Sequence, residues 1–208
     1  MEPHLIHLTK DDYVVSQWSG GTTTQLAIAP SGAQYGDRTF LWRLSSATVD
    51  LEESDFTPLP DYDRLIAPLR GEMTLTHDGG APITLRPYQV HAFDGGADTH
   101  SAGRCVDFNL MLRKGACRGR IFPVTGQAAQ TLCPEVSPDA EELLLYCVEG
   151  RGRVSFCGEA AELHPGEAVR VRAPGGGLTV ECREASAFMA AELENAPESV
   201  QRLNKEGE

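Results

Sequence analysis

LRGEMTLTHDGGAPITLRPYQVHAF (residues 69–93) and VEGRGRVSFCGEAAELHPGEAVRV (residues 148–171) are two versions of one unit, and that kinship decides the fold. Gly71 matches Gly150, Leu85 matches Leu163 and Pro87 matches Pro165, at offsets of 79, 78 and 78 residues. Each copy runs from a glycine turn through a hairpin to an LxP step and a further apolar strand. The hairpin of the first copy is closed by HDGGAP, where Asp-Gly-Gly is the chemistry that a turn with positive φ demands. A unit repeated once at so long an interval implies two similar β-domains, since a solenoid recurs at roughly 20 to 50 residues.

The rest of the chain is punctuated in the same way. Its 21 glycines and 13 prolines divide short β-type runs, and long amphipathic helical patterns are hard to find. The expected strands include QLAIA (25–29), FLWRLSSATV (40–49), RLIAPL (64–69), MTLTH (73–77), ITLR (83–86) and VDFNLML (106–112) in the first half. LLLYCVE (143–149), RVSFC (153–157), AVRVR (168–172), LTVECR (178–183) and AFMAAEL (187–193) follow in the second. Many short strands separated by turns indicate an all-β sandwich or barrel. The expected organisation is an N-terminal domain over residues 1–115, a C-terminal domain over 116–193, and a polar tail over 194–208.

Composition removes several function classes. A net charge of −12 argues against a nucleic-acid backbone or an anionic membrane surface as partner, because both call for a cationic footprint. The opening MEPHLIHLTKDDY has no cationic flank leading into an apolar core, and no run approaches the length of a membrane span, so a cytoplasmic protein is expected. Six cysteines stand singly, without a CxxC pair, and are expected to be free thiols.

Polar residues inside two strands are the candidate functional groups. In FLWRLSSATV, period 2 places Leu41, Arg43, Ser45, Ala47 and Val49 on one face. In DFNLML (107–112) it sets Asp107, Asn109 and Met111 against Phe108, Leu110 and Leu112. A guanidinium stays charged at any accessible pH, so a mid-strand arginine meets a carboxylate, lines a polar cavity or points outward. Asp107 is the expected partner of Arg43 or of Arg64 in PDYDRLI (60–66). A structural salt bridge and a ligand site both remain open, because each calls for the same residue types.

GRGRVSFCGEAAELHPGEAVRV resembles the part of cupins that runs from the glycine turn into the PG-containing second motif, which makes the chain similar to a bicupin. Metal-binding cupins supply HxH and a Glu from the first motif and a His from the second. Here DFTPLPDYDRLIAPLRG has no histidine, and Arg64 falls near the place of the Glu. His100 alone approaches the second-motif position, one imidazole is not a metal site, and His77, His91, His100 and His164 read as turn or surface residues, so neither metal nor cofactor is expected.

Taken together, the blocks resemble the HutD/Ves family of bicupins. The residues that carry the resemblance are Trp18, Gly20, Gly21, Thr23 and Leu26; Phe40, Trp42, Arg43, Ser45 and Ala47; Phe56, Pro60, Arg64 and Gly71; and Asp107, Phe108, Asn109 and Met111. Two features depart from the family: the glycine turn after Trp18 is shorter, and Gln25 stands where an acidic residue is usual. The resemblance implies two β-sandwich or barrel domains, an association with histidine degradation, and a regulatory or sensing role with no established catalytic activity.

The residues themselves add a physical reading. Arg43 and Arg64 form a pole for a carboxylate, Ser45, Asp107 and Asn109 offer further hydrogen-bonding groups, and Trp18 serves as an apolar wall or a core aromatic. With Thr23, these seven are the expected ligand-binding residues, and none is expected to be catalytic. Small anions of histidine breakdown, such as urocanate or formylglutamate, suit such a pocket. Three functions stand at this point: a metal-free binding protein, a cupin enzyme acting on a small carboxylate and either metal-dependent or using Asp107 as general base, and a structural protein whose Arg/Asp cluster only cross-links the fold. A homodimer stays open as the assembly.

Overall fold

Each apolar run picked out above lies in a strand, as expected where β-branched and aromatic residues alternate between glycine and proline breaks. The structure is a computed structural model that describes residues 4–195. Of the expected polar tail, Glu194 and Asn195 continue the last strand, and the remainder lies outside the described residues. In chain order the strands are β1 (Leu5–Leu8), β2 (Val14–Trp18), β3 (Gly21–Ala29), β4 (Trp42–Val49), β5 (Glu53–Asp55) and β6 (Tyr62–Gly71). Next come β7 (Met73–His77), β8 (Ile83–Leu85), β9 (His91–Asp94), β10 (Thr99–Ala102), β11 (Cys105–Arg113) and β12 (Cys117–Gly126). The last are β13 (Thr131–Leu132), β14 (Glu142–Glu149), β15 (Gly152–Phe156), β16 (Glu159–Leu163), β17 (Ala168–Arg172), β18 (Thr179–Cys182) and β19 (Ser186–Asn195).

The chain is all-β and built as two units, each of two sheets. In the Val14–Arg118 unit a six-stranded sheet, ordered β2-β3-β4-β11-β6-β9, faces a four-stranded sheet ordered β5-β10-β7-β8. Val49, Ile66 and Cys105 from the first sheet and Met73, Leu75 and Leu85 from the second form one buried cluster, which makes the pair a sandwich. The other unit holds residues 4–13 and 119–195. Its sheets run β1-β17-β14-β19-β12 and β13-β18-β15-β16, and Leu143, Val169 and Phe188 pack with Val154, Leu163 and Val180.

Residues 4–13 belong to the C-terminal unit rather than to the N-terminal domain expected over 1–115. Leu5–Leu8 pairs antiparallel with β17, so this segment joins the C-terminal unit. The physical reason is an edge: four residues cannot stand alone, and pairing with β17 buries Leu5 and covers open backbone groups. Nothing local to LIHL names the edge that it will cover.

The repeat has a direct structural expression. Gly71 and Gly150 both adopt φ +75°. A Cβ at Gly71 would lie 2.5 Å from the Arg104 carbonyl oxygen, and one at Gly150 would lie 2.4 Å from that of Ala185. Both positions therefore require glycine on conformational and steric grounds. Cys105, Cys117, Cys147 and Cys182 are buried free thiols, and Cys133 and Cys157 are exposed ones. Among the described residues no helix is long and apolar enough to cross a membrane.

Candidate ligand-binding cavity

β4 and β11 sit at the centre of the six-stranded sheet and are buried on both faces. One face carries Trp42, Leu44, Phe108, Leu110 and Leu112, all nearly inaccessible. The other carries Arg43, Ser45, Ala47 and Val49 beside Asp107, Asn109 and Met111, and these seven residues line a cavity of about 290 Å³ inside the Val14–Arg118 unit. Arg64 of β6, Thr23 of β3, and Ser16 and Trp18 of β2 complete the sheet side, with residues 54–57 and Tyr35 enclosing it. The structure thus gathers Trp18, Thr23, Arg43, Ser45, Arg64, Asp107 and Asn109 around one space.

Strand register explains how residues far apart in sequence meet. Arg43 lies opposite Met111, and Met111 lies opposite Arg64, so the two arginines flank one methionine across three neighbouring strands. Their Cα atoms are therefore roughly 10 Å apart, two strand spacings. The next row places Gln25, Ser45 and Asn109 side by side, and the row after it Thr23, Ala47 and Asp107. A bulge between Val106 and Asp107 marks the edge of this polar strip.

The expected pairing of Asp107 with an arginine does not form. Asp107 Oδ1 accepts from the Ala47 backbone N–H at 3.2 Å, and among the described residues no arginine forms an ion pair with its carboxylate. Arg43 instead donates from Nε to Gln25 Oε1 at 2.8 Å and from Nη1 to Ser45 Oγ at 3.3 Å. Arg64 makes no hydrogen bond or ion pair among the described residues, and its Nε is buried without a partner. Its guanidinium carbon lies 4.5 Å from the Phe56 ring centre and 5.3 Å from that of Phe93. The Asn109 side-chain oxygen is likewise buried and unpaired.

Desolvation dominates the charge states. Burial pushes the Asp107 carboxyl up to about 7, although Arg64, the Ala47 N–H and Arg43 pull the other way. Burial also lowers Arg64 to about 10 and lowers Arg43. A carboxylate that resists ionisation beside two guanidiniums without acidic hydrogen-bond partners gives the sheet side of the cavity a positive character, with Asp55 the other carboxyl on its lining.

Several lining residues escaped the sequence reading. Tyr35 sits in a single 3-10 turn, Tyr35–Asp37, and its ring takes the guanidinium carbons of Arg38 and Arg43 at 3.9 and 4.4 Å. The segment is held from below: Tyr62 Oη lies 2.9 Å from the carbonyl oxygens of both Arg38 and Phe40, and Arg113 donates to Phe40 O and Tyr62 Oη. Nothing in an isolated tyrosine of a loop signals this. Ala47, Val49 and Met111 were legible, since period 2 already puts them on the faces of Arg43 and Asp107. Trp18 folds its indole over Gly20, where a Cβ would meet the ring at 2.1 Å, and keeps 39% of its surface exposed.

The model of the family described as HutD matches residues 10–190. The chain belongs to the HutD family. This HutD-family chain is 31% identical to protein Ves of Cronobacter sakazakii over 114 residues, a stretch that covers 51% of the chain and 60% of that relative. Among solved structures it resembles a conserved protein of unknown function from Pseudomonas aeruginosa PAO1, with a TM-score of 0.78 and 27% identity over 92% of this chain and 100% of that one. It also resembles HutD from Pseudomonas fluorescens SBW25, in a formate condition, with a TM-score of 0.70 and 26% identity over 93% and 100% of the two chains.

Cupins that bind metals gather histidines and a carboxylate, and the HutD-family chain does not fit that group. Among the described residues no three His, Cys, Asp or Glu side chains come together to hold an ion. Two guanidiniums converge on the cavity instead, and they repel a cation. Histidines at the far side of Phe93 differ from expectation. His77 and His91 are half-buried rather than on a turn or the surface, with Nε2 atoms 3.0 Å apart and both rings against Phe93.

Proposed function

We propose that this HutD-family protein binds a small carboxylate in the cavity of its Val14–Arg118 unit, and acts as a sensing or regulatory protein of histidine catabolism in the cytoplasm. The observation that carries the reading is Arg64, which is 6% exposed and has no hydrogen-bond or ion-pair partner among the described residues. A permanent charge so placed is costly unless something completes it, and a bidentate carboxylate is the matching group. The cavity volume suits a molecule the size of urocanate or formylglutamate, and the aromatic faces of Tyr35 and Phe56 suit a planar body. The histidine connection rests on family membership.

Titration calorimetry and thermal shift with urocanate, formylglutamate and formate test the proposal. Binding heat and ligand-dependent stabilisation in the native protein, both lost in Arg64→Met, are the expected result. No heat and no stabilisation with any of the three would overturn it.

A second reading is favoured by one observation. Asp107, a buried cavity-lining residue whose carboxyl is pushed up to about 7, has the proton affinity of a general base. An enzyme reading predicts turnover of a bound acid, seen by nuclear magnetic resonance of the mixture, and abolished in Asp107→Asn while binding persists.

A further inference from the structure

We infer, on the carboxylate reading above, that Ala47 sets the size of the acid this cavity accepts. The body of the ligand lies across Ala47 and Thr23, and a larger side chain at position 47 confines the site to the shortest carboxylates. Ala47 stands inside the six-stranded sheet, between β3 and β11. On the cavity face of β4 and β11, Arg43, Ser45, Val49, Asp107, Asn109 and Met111 are buried, and Ala47 alone is half-buried. A small apolar residue flanked on both sides by paired strands keeps accessible surface only where the space above it is unfilled.

Burial along its row gives the direction of entry. Ser16, Thr23, Ala47 and Asp107 lie side by side across β2, β3, β4 and β11, and all four line the cavity. Ser16 is exposed, Thr23 and Ala47 are half-buried, and Asp107 is buried. The floor therefore descends from the edge strand toward the sheet centre, in steps of roughly 4.8 Å per strand. Arg43 spends Nε on Gln25 and Nη1 on Ser45, which holds its guanidinium over the row next to that of Ala47. Neighbouring rows are two residues apart, roughly 7 Å along a strand. An acid whose carboxylate reaches the guanidiniums thus carries its body over Ala47 and Thr23, with Trp18 and Val49 bounding it one row further on. Those four side chains offer apolar surface and one hydroxyl, which suits an uncharged body. Leucine at position 47 would fill the same space with its branched end.

The test titrates the whole native protein and Ala47→Leu by calorimetry, at constant pH, with two short acids, acetate and propionate, and two flat ones, urocanate and cinnamate. In the native protein the flat acids should bind at least about tenfold tighter than the short ones, which corresponds to about 1.4 kcal/mol. In Ala47→Leu the flat acids should weaken at least about tenfold while the short acids change by no more than about twofold. Thermal unfolding without ligand supplies a second readout, because overpacking a filled core destabilises it and a leucine entering open space does not. A variant that melts well below the native protein and loses short and flat acids alike would overturn the inference, for Ala47 would then belong to the packing of the sheet. Flat acids that bind the native protein no tighter than acetate, or that bind Ala47→Leu unchanged, would also overturn it and leave the carboxylate reading standing. If leucine prevents folding, Ala47→Val, a residue at home in strands, is judged by the same criteria. Failure of every acid, the short ones included, removes the carboxylate reading and this inference with it.

Discussion

Arg43 Nε donates to Gln25 Oε1 at 2.8 Å, so the most central cation of the sheet is held by a neutral amide. An acidic residue is usual at that position in the family the chain resembles. An acid there would neutralise Arg43; the amide leaves the charge available to the cavity. Gln25→Glu is therefore expected to raise the melting temperature by completing an ion pair. It should also weaken binding of a carboxylate by about tenfold or more, on the scale of a like charge several ångströms away in a medium of effective dielectric near 20. Thermal denaturation and calorimetry on the same preparation check both directions.

Arg64 separates a binding role from a structural one. Its guanidinium is desolvated against the rings of Phe56 and Phe93 and makes no hydrogen bond or ion pair among the described residues. Arg64→Met keeps an unbranched stem against the rings and removes the buried charge, so stability should hold or rise by about 1 kcal/mol or more. Carboxylate affinity should fall at least about 100-fold, as expected for loss of a charge-assisted bidentate contact. A fall in stability with no change in binding would assign Arg64 to the scaffold.

Asp107 makes both stability and binding depend on pH. Its carboxyl is raised from 3.8 to about 7 in the folded chain. As pH rises through that window the unfolded chain loses the proton first and the folded chain retains it, so stability falls between these values and levels off above about 7. Ionisation also adds a negative charge to the cavity, and anion affinity should weaken from about pH 6 to about pH 8. Asp107→Asn keeps an oxygen for the Ala47 N–H and should flatten both profiles, measured by denaturant unfolding and by titration across the range.

His91 works in the opposite sense. Burial lowers its affinity for a proton below the ordinary 6.5, with His77 adding to the effect. The neutral ring is the one favoured by the fold, so its contribution is complete above 6.5 and is lost as pH falls below that value. His91→Gln, which retains a donor for His77 Nε2, should lose less stability between about pH 7 and about pH 5 than the native protein.

Gly71 and Gly150 report on the repeat. Alanine at either position meets a carbonyl oxygen at about 2.5 Å or closer and adopts a left-handed backbone, and each substitution should cost about 2 kcal/mol or more in denaturant unfolding. The equivalence of the two copies predicts similar losses, whereas Gly158→Ala, where a Cβ would meet nothing within 4 Å, should cost less.

Much of the first sandwich was legible because its signals are local. MTLTH, HDGGAP and ITLR read directly as a hairpin, and Met73–His77 pairs with Ile83–Leu85 across that turn. FLWRLSSATV and DFNLML carried their faces in their alternation, which placed Arg43 with Ser45 and Asp107 with Asn109. Short polar strands left little trace: ESD of β5 and THSA of β10 lack an apolar face and exist by pairing with stronger neighbours.

The amino-acid order alone determined that this chain is all-β, that it is a duplicated unit, and which side chains share a strand face, because a two-residue period and a turn glycine are properties of neighbouring residues. Tertiary structure alone decided which faces meet. The sheet order brings β6 beside β11 and so puts Arg64 level with Arg43, while β1 crosses to the other unit. It also kept Asp107 from its expected arginine partner, for a carboxylate deep in the sheet is satisfied by the nearest backbone N–H rather than by a cation in another row. Strand pairing and desolvation are long-range effects, and they alone turned alternating polar residues into a cavity with unpaired donors and acceptors.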